Sequence, residues 1–400
     1  MRILHIIGSI DARGGGPVTA VLQQAEHRPA ELFSTHIATL DAPEAACVAA
    51  LPVPTFAFGP SAARVAGWRR KLPWVRYGHA PKLAAWLKAN LAHYDVVVVD
   101  GLWNYAAMAA RKVLVDGGTP YVVFPHGMLD PWFRKAYPIK SLAKQALWLF
   151  NEGPLLNNAC AVMFTTQTER ESSRNAFWPY RVRERVASLG CDDIFGDAAE
   201  QEAAFRGKLP ALGERRYLLF LSRIHPKKGC DILIEAFAVI ASDHAGLDLV
   251  IAGPDQTGWK AELLSQAKRL GVADRIHWPG MLVGDVKWGA YRGCEAFVLP
   301  SHQENFGIVV AEALAAGKPA LISDKVQIWR EVFAGGGSLT APDTAEGFAT
   351  LLKTFLRLNE AERLAMEKAA RATFLARFEM SRAVAAINRA LLEVIDDRSS

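Results

Sequence analysis

Residues 294–323 read CEAFVLPSHQENFGIVVAEALAAGKPALIS. The stretch opens on an apolar run, CEAFVLP, and closes on another, PALIS. Between them Ile308 to Ala316 is helix-like and apolar on nearly every side. Continuous apolar runs separated by a helix predict parallel strands in a sheet covered on both faces. Two carboxylates break the pattern. Glu312 sits in the middle of the apolar helix, and Glu304 lies just ahead of it, before Phe306 and Gly307. A buried carboxylate needs a partner, so the pair asks for a ligand rather than a core.

The same alternation extends outward in both directions. Downstream of residue 216 the strands YLLFLSR, LDLVIAGP and RIHWPG alternate with helices from about Asp231 and near 259–270. Upstream, RILHIIGS is followed by the loop DARGGG and a helix opening at Pro17, a favoured first-turn position. FSTHIATL, DVVVVDG, PYVVFPH and AVMFTTQ read as further strands. Around residue 190 the alternation pauses in polar, turn-rich sequence, GCDDIFGDAAEQEAAFRGKLPALGERR. The chain therefore divides into two Rossmann-like, doubly wound α/β domains, residues 1–190 and 216–380, with a linker region at 191–215. Residues from about 381 form an amphipathic terminal helix. Domains of this build set the carboxyl ends of their strands across a cleft, where ligands bind.

Four hundred residues, 51% apolar and 22% charged, fit a soluble enzyme of two domains. Five scattered cysteines at no metal spacing read as reduced thiols, with no zinc site. No run approaches the roughly 18 apolar residues of a spanning helix, and ILHIIGSI lacks a signal-peptide layout, so a cytoplasmic protein is expected. The charge is uneven. Residues 1–190 carry 21 Lys and Arg against 13 Asp and Glu, whereas the remainder carries 25 against 28. Between Glu44 and Asp95 there is no acidic residue, while Arg64, Arg69, Arg70, Lys71, Arg76, Lys82 and Lys88 lie among Trp68, Trp74 and Trp86.

Three pieces of the second domain converge on a phosphate. SRIHPKKG, residues 222–229, follows a strand and brings Arg223 and Lys228, a fork and a point charge suited to a diphosphate; a basic solvated turn is the bland alternative. The turn at Gly307 offers the unpartnered amides of a helix start and lets a ligand approach the backbone. Carboxylates repel phosphate, so Glu304 and Glu312 suit hydroxyl donors on either side of it. Glu312 lies about 7 Å past Gly307 at 1.5 Å per residue, within reach of a ribose diol. Glu312 facing water and Glu304 as a loop charge is the alternative.

PSHQENFGIVVAEALAAGKP resembles the E-x7-E signature of the retaining GT-B glycosyltransferases of family GT4, and SRIHPKKG resembles that family's G/S-R-x-x-x-x-K-G element. LVIAGPD, WPGM, GGGP and PHGM, at residues 125–128 in the last case, match further family loops in the right order. Ser222 stands where glycine is usual, and Asn305 follows the first glutamate at a variable position. The resemblance implies a GT-B fold whose terminal helix, about 381–400, crosses back to the first domain. It implies that Arg223 and Lys228 bind the donor diphosphate and steady the leaving group, that Glu312 binds ribose, and that Glu304 contacts the donor sugar. The backbone of Asn305, Phe306, Gly307 and Ile308 would lie near sugar and phosphate. The base would lie near Trp278 to Leu282, Gly14, Gly15 and Gly16 by the phosphates or acceptor, and His126 by the sugar's reacting face. His126 read on its own fits a hydrogen-bonded core histidine equally well.

The activity these residues imply is transfer of a sugar, with retention, from a UDP- or GDP-sugar to a saccharide or lipid-linked acceptor in polysaccharide or glycolipid assembly. No cofactor or metal is expected, since the two cations serve the leaving group. GWRRKLPWVR and DPWFRKAYPIKSLAKQALWLF suggest peripheral contact with the inner face of a membrane through 61–90 and 130–150; a solvated face with buried tryptophans is the alternative. No nucleic-acid motif accompanies the charge. The rivals are a nucleotide-sugar epimerase and a non-catalytic nucleotide-sugar-binding module. A dinucleotide-dependent dehydrogenase is disfavoured, because GSIDARGGG is not GxGxxG and the second strand is read as ending without an acid.

Overall fold

The computed structural model describes residues 1–11, 16–61, 67–68, 72–131 and 138–399. The chain forms two compact units, Met1–Leu189 with Met380–Ser400, and Gly190–Glu379.

In the first unit, β1 (Arg2–Ile7), β2 (Ser34–Thr39), β3 (Thr55–Ala57), β4 (Val96–Asp100), β5 (Tyr121–Phe124), β6 (Ala161–Phe164) and β7 (Glu184–Val186) make one sheet. Among the described residues its order is β3-β2-β1-β4-β5-β6-β7, and every neighbouring pair is parallel. The run DVVVVD explains how such a sheet holds two cores. Successive side chains point to opposite faces, so Val97 and Val99 pack with Leu4, Ile6 and Val123, while Val96 and Val98 pack with Ile3, Val122 and Met163. The terminal helix Met380–Ser399 covers the second of these faces. It buries Met380, Ala383, Val384, Ile387, Leu391 and Val394, a three-and-four spacing that lines one stripe of a helix. Burying Ile387, Leu391 and Val394 contributes about 1.5–3 kcal/mol each, enough to hold the chain end on the first unit.

In the second unit, β8 (Arg216–Leu221), β9 (Leu247–Ala252), β10 (Ile276–Gly280), β11 (Ala296–Leu299), β12 (Ala320–Ser323) and β13 (Ser338–Ala341) are ordered β10-β9-β8-β11-β12-β13, again all parallel. Each sheet starts at its centre and reverses direction of growth once, between β1 and β4 in one and between β8 and β11 in the other. Ligands of open α/β sheets bind beyond the carboxyl ends of the strands at that reversal. The loops after β8 and β11 are the two that carry the motifs.

Residues 191–215, expected as a linker, hold the helix Ala198–Lys208. Its Gln201 donates to the Phe195 carbonyl at 2.7 Å and to Asp285 at 2.9 Å, and accepts from Arg292 Nε at 2.7 Å. The polar composition that suggested a linker is the polar face of a helix bound to the helix Gly284–Arg292.

Candidate active site

Hydrogen bonds staple the loops after β8 and β11 together. The Lys227 carbonyl accepts from Ser301 Oγ at 2.9 Å and from the His302 amide at 2.8 Å. Ser323 Oγ, at the end of β12, donates to the Ser301 carbonyl at 2.5 Å. Gly229 stands at φ +69°, and a Cβ there would lie 2.3 Å from the Pro300 carbonyl oxygen, so only glycine lets the loops close. Closure carries Lys228 inward. Its side chain is only 7% exposed, and its ammonium donates to the Glu304 carboxylate. Arg223, on the same loop, is exposed and lies outside that pair.

Glu304 is fixed through its backbone. Its amide donates to the Lys325 carbonyl at 3.2 Å, and its own carbonyl accepts from the Gln327 amide at 3.0 Å. Three residues on, Gly307 at φ +71° caps the helix Ile308–Ala315. Phe306 is buried edge-to-face against Phe378, with ring centroids 5.8 Å apart, while Asn305 and Ile308 are half-buried. The first amides of this helix have no partner inside it, and its dipole favours an anion there.

Glu312 has the partner that its apolar helix demanded, supplied by another helix. Lys287 Nζ donates to one carboxylate oxygen at 2.9 Å, and the Tyr291 hydroxyl, shared with the Val309 carbonyl, reaches the other at 3.0 Å. Burial first, then the neighbouring Glu312 carboxylate, push the Tyr291 hydroxyl well above the usual tyrosine range, so it stays a donor. Lys287 also lies 4.3 Å over the Trp288 ring. The four predicted acid and cation positions thus lie beyond the ends of the adjacent strands β8 and β11, with Arg223 exposed and the other three in two clusters. Lys228 is with Glu304, and Glu312 is with Lys287 and Tyr291. Of the expected base region, Trp278 is half-buried, its indole N–H without a partner among the described residues, and Lys260 lies 5.6 Å over its ring. Met281 is exposed and Leu282 buried.

In the first unit His126 follows β5 at φ +50°, a left-handed conformation that is costly for a residue with a Cβ. Its Nε2 lies 2.9 Å from Asp100 Oδ1, at the end of β4, and its side chain is 3% exposed. The next amide, Gly127 N–H, donates to the buried Glu169 carboxylate at 2.6 Å. Gly16 is the exposed first residue of the helix Gly16–His27, whereas Gly14 and Gly15 lie outside the described residues. One expectation is corrected. An acid, Asp41, does stand just past β2. Its oxygens accept from Ser9 Oγ, the Ile10 amide and Thr39 Oγ1 at 2.6–2.7 Å, so it secures the loop after β1.

Sequence reasoning missed Lys287, Tyr291 and Asp100. Lys287 and Tyr291 sit on a separate helix, with no spacing that links them to Glu312. Asp100 left a signal, a lone acid closing the apolar run DVVVVD.

Two parallel sheets of this order, with helices on both faces, define a two-domain α/β protein of the GT-B class. Residues 201–373 match the family described as glycosyl transferases group 1, and residues 15–190 match the glycosyl transferase 4-like domain. The chain belongs to the GT4-type glycosyltransferases, a family of sugar-transferring enzymes. It is 35% identical over 123 residues to a D-inositol 3-phosphate glycosyltransferase of Segniliparus rotundus, 30% of this chain and 27% of that one. To the mannosylfructose-phosphate synthase of Agrobacterium fabrum it is 30% identical over 150 residues, 36% and 33% of the two chains. The matched stretches thus span a third or less of these curated relatives. The crystal structure of Anabaena HepE in complex with UDP and glucose has the same fold, with a TM-score of 0.76 over 98% of this chain and all of that one, at 19% identity.

Proposed function

We propose that the protein is a retaining glycosyltransferase that moves a sugar from a nucleoside-diphosphate sugar to a saccharide or lipid-linked acceptor, in polysaccharide or glycolipid assembly. The observation that carries this reading is the Lys228–Glu304 pair held beside the Gly307 helix start, at the reversal point of the second sheet. An arriving diphosphate competes with Glu304 for the Lys228 ammonium. Lys228 and the exposed Arg223 then neutralise the departing nucleoside diphosphate, with the helix amides assisting, which is electrostatic catalysis at the leaving group. Released from Lys228, Glu304 becomes an acceptor for hydroxyls of the donor sugar. Glu312, aimed by Lys287 and Tyr291, takes the ribose diol. An acceptor hydroxyl attacks from the leaving group's face and gives its proton to the leaving phosphate. His126 lies beside the reacting sugar. UDP and glucose in HepE favour testing a uridine donor first, with guanosine donors alongside.

Peripheral membrane contact belongs to the same proposal. On 138–152 the side chains of Leu142, Leu147, Leu149 and Phe150 are exposed, as are Trp68 and Trp74, which suits insertion at headgroup depth beside basic residues. Trp86 and Trp148 take no part. Trp86 packs 4.5 Å from Phe56, and Trp148 is fully buried against Phe177. Arg64, Arg69, Arg70, Lys71 and residues 132–137 lie outside the described residues. No helix among the described residues is long and apolar enough to cross a membrane.

The test is a thermal-shift panel of UDP- and GDP-sugars, followed by detection of released nucleoside diphosphate with saccharide and lipid-linked acceptors, and NMR of the product's anomeric centre. Stabilisation by one donor class, acceptor-dependent release and an unchanged anomer are expected. Release that needs no acceptor, or an inverted anomer, would overturn the reading.

A further inference from the structure

His126 is the visible end of a buried polar chain. Asp100 accepts at both oxygens, Oδ1 facing His126 Nε2 at 2.9 Å and Oδ2 facing His5 Nδ1 at 2.8 Å. The far nitrogen of His5, Nε2, lies 3.0 Å from Arg28 Nη1. Arg28 in turn donates to Thr35 Oγ1 at 3.1 Å, to Gln24 Oε1 at 3.3 Å, and to Asn388 Oδ1 of the terminal helix at 3.0 Å. His5, Arg28 and Asp100 are all buried.

Elementary hydrogen-bond chemistry fixes the protons. A guanidinium only donates, so His5 Nε2 is an acceptor without a proton. An ionised carboxylate only accepts, so His5 Nδ1 and His126 Nε2 both carry hydrogen. His5 is therefore a neutral ring in the Nδ1–H tautomer, standing between a buried cation and a buried anion. Burial lowers the His5 imidazole despite the pull of Asp100, in keeping with that neutral state. Burial lowers Arg28 too, to about 10, still charged at neutral pH. Burial raises the Asp100 carboxyl, but the two histidines outweigh it and hold it below its ordinary value. No partner for His126 Nδ1 stands among the described residues.

We propose that His5, held by Arg28 as a neutral Nδ1–H donor, is a positioning residue for the transfer site, which through Asp100 locks His126 with Nε2–H turned into the protein and the Nδ1 lone pair presented to a substrate hydroxyl. This rests on the reading that His126 borders the donor sugar. A cluster kept only for stability would not need its charges, since buried ion pairs are commonly replaceable by apolar residues. Nor would it need a histidine held in left-handed backbone between two carboxylates, Asp100 on its ring and Glu169 on the next amide. Such outliers gather where geometry serves function.

The test is two-bond nitrogen–proton NMR of the histidine-labelled full chain, with His5→Asn and His5→Gln. The asparagine amide nitrogen replaces Nδ1 and keeps the donor to Asp100, whereas glutamine reaches the Nε2 position and loses it. The wild type should show His5 as neutral Nδ1–H, and His126 as Nε2–H, at pH 8. His5→Asn should keep the His126 tautomer and transfer rate. Folded His5→Gln should show mixed His126 tautomers and about tenfold lower kcat, the scale of one hydrogen bond to a charged group, with an unchanged nucleotide Kd. An Nδ1–H tautomer at His126 in the wild type would overturn the proposal, and so would His5→Gln with the wild-type tautomer and rate. The spectra decide the relay even if no sugar transfer is found, so its failure and that of the function are told apart.

Discussion

Replacing Glu304 by Gln keeps the shape of the side chain and removes its charge. In the ligand-free protein this leaves the Lys228 ammonium, 7% exposed, without its counter-charge. A hydrogen bond between charged groups is worth about 1.5–3 kcal/mol. Because 21% of the Glu304 side chain meets solvent, about 1–2 kcal/mol is the better expectation. For a unit of this size that lowers the melting temperature by roughly 2–4 °C per kcal/mol. Nucleotide reverses the order. In the wild type a diphosphate competes with Glu304 for Lys228, and in E304Q that competitor is gone, so UDP should bind about tenfold more tightly, or ~1.4 kcal/mol. At a concentration that is about a hundredfold over the wild-type Kd, binding adds about 2.7 kcal/mol to the wild type and about 4.1 to the variant. Melting curves recorded without UDP should separate, and curves in saturating UDP should converge, while turnover of the nucleotide sugar falls for want of the sugar contact. Scanning fluorimetry and calorimetric titration read both effects. Equal stability without ligand, or a smaller UDP-induced shift in the variant, would refute the competition.

Tyr291→Phe removes one of the two donors that aim Glu312, and should weaken UDP binding about fivefold and cost about 1 kcal/mol of stability; titration calorimetry and denaturant melts check it. Leu391→Ala empties a fully buried site between the terminal helix and the first sheet, with an expected loss of about 2–5 kcal/mol, read by urea unfolding. His5 provides a pH signature. Its folded-state pKa lies below the model-peptide value of 6.5, so the unfolded chain binds the extra proton and stability falls as pH drops below 6.5. The slope is at most about 1.4 kcal/mol per pH unit. The stability difference between wild type and His5→Asn should therefore shrink between pH 7 and 5, and a difference constant with pH would contradict it.

The fold was legible because its strands are apolar on both faces. VVVVD, YLLFL and FVLP cannot be amphipathic helices or half-wet strands, and their alternation with helices leaves little besides a doubly wound sheet. The short strands Thr55–Ala57, Glu184–Val186 and Ser338–Ala341 escaped notice because three or four residues at a sheet margin carry no periodic signal. Arg223, Lys228, Glu304 and Glu312 stood out as candidates through their chemistry, their spacing and the family resemblance. What holds them did not. Lys287 and Tyr291 reach Glu312 from another helix, and Arg28 reaches His126 through two intermediate side chains, and only tertiary packing joins such partners. The helix Ala198–Lys208 within 191–215 gave no signal of its own, because polar composition marks linkers and solvated helix faces alike.

The central claim is that Arg223 and Lys228 grip a diphosphate. Calorimetric titration of the wild type, Arg223→Gln and Lys228→Gln with UDP, GDP and their parent nucleosides tests it most directly. The account predicts saturable binding of a nucleoside diphosphate, a loss of about tenfold or more in either variant, the scale of one charge-assisted contact, and little change for the nucleoside alone. Diphosphate binding that survives both substitutions undiminished would contradict it.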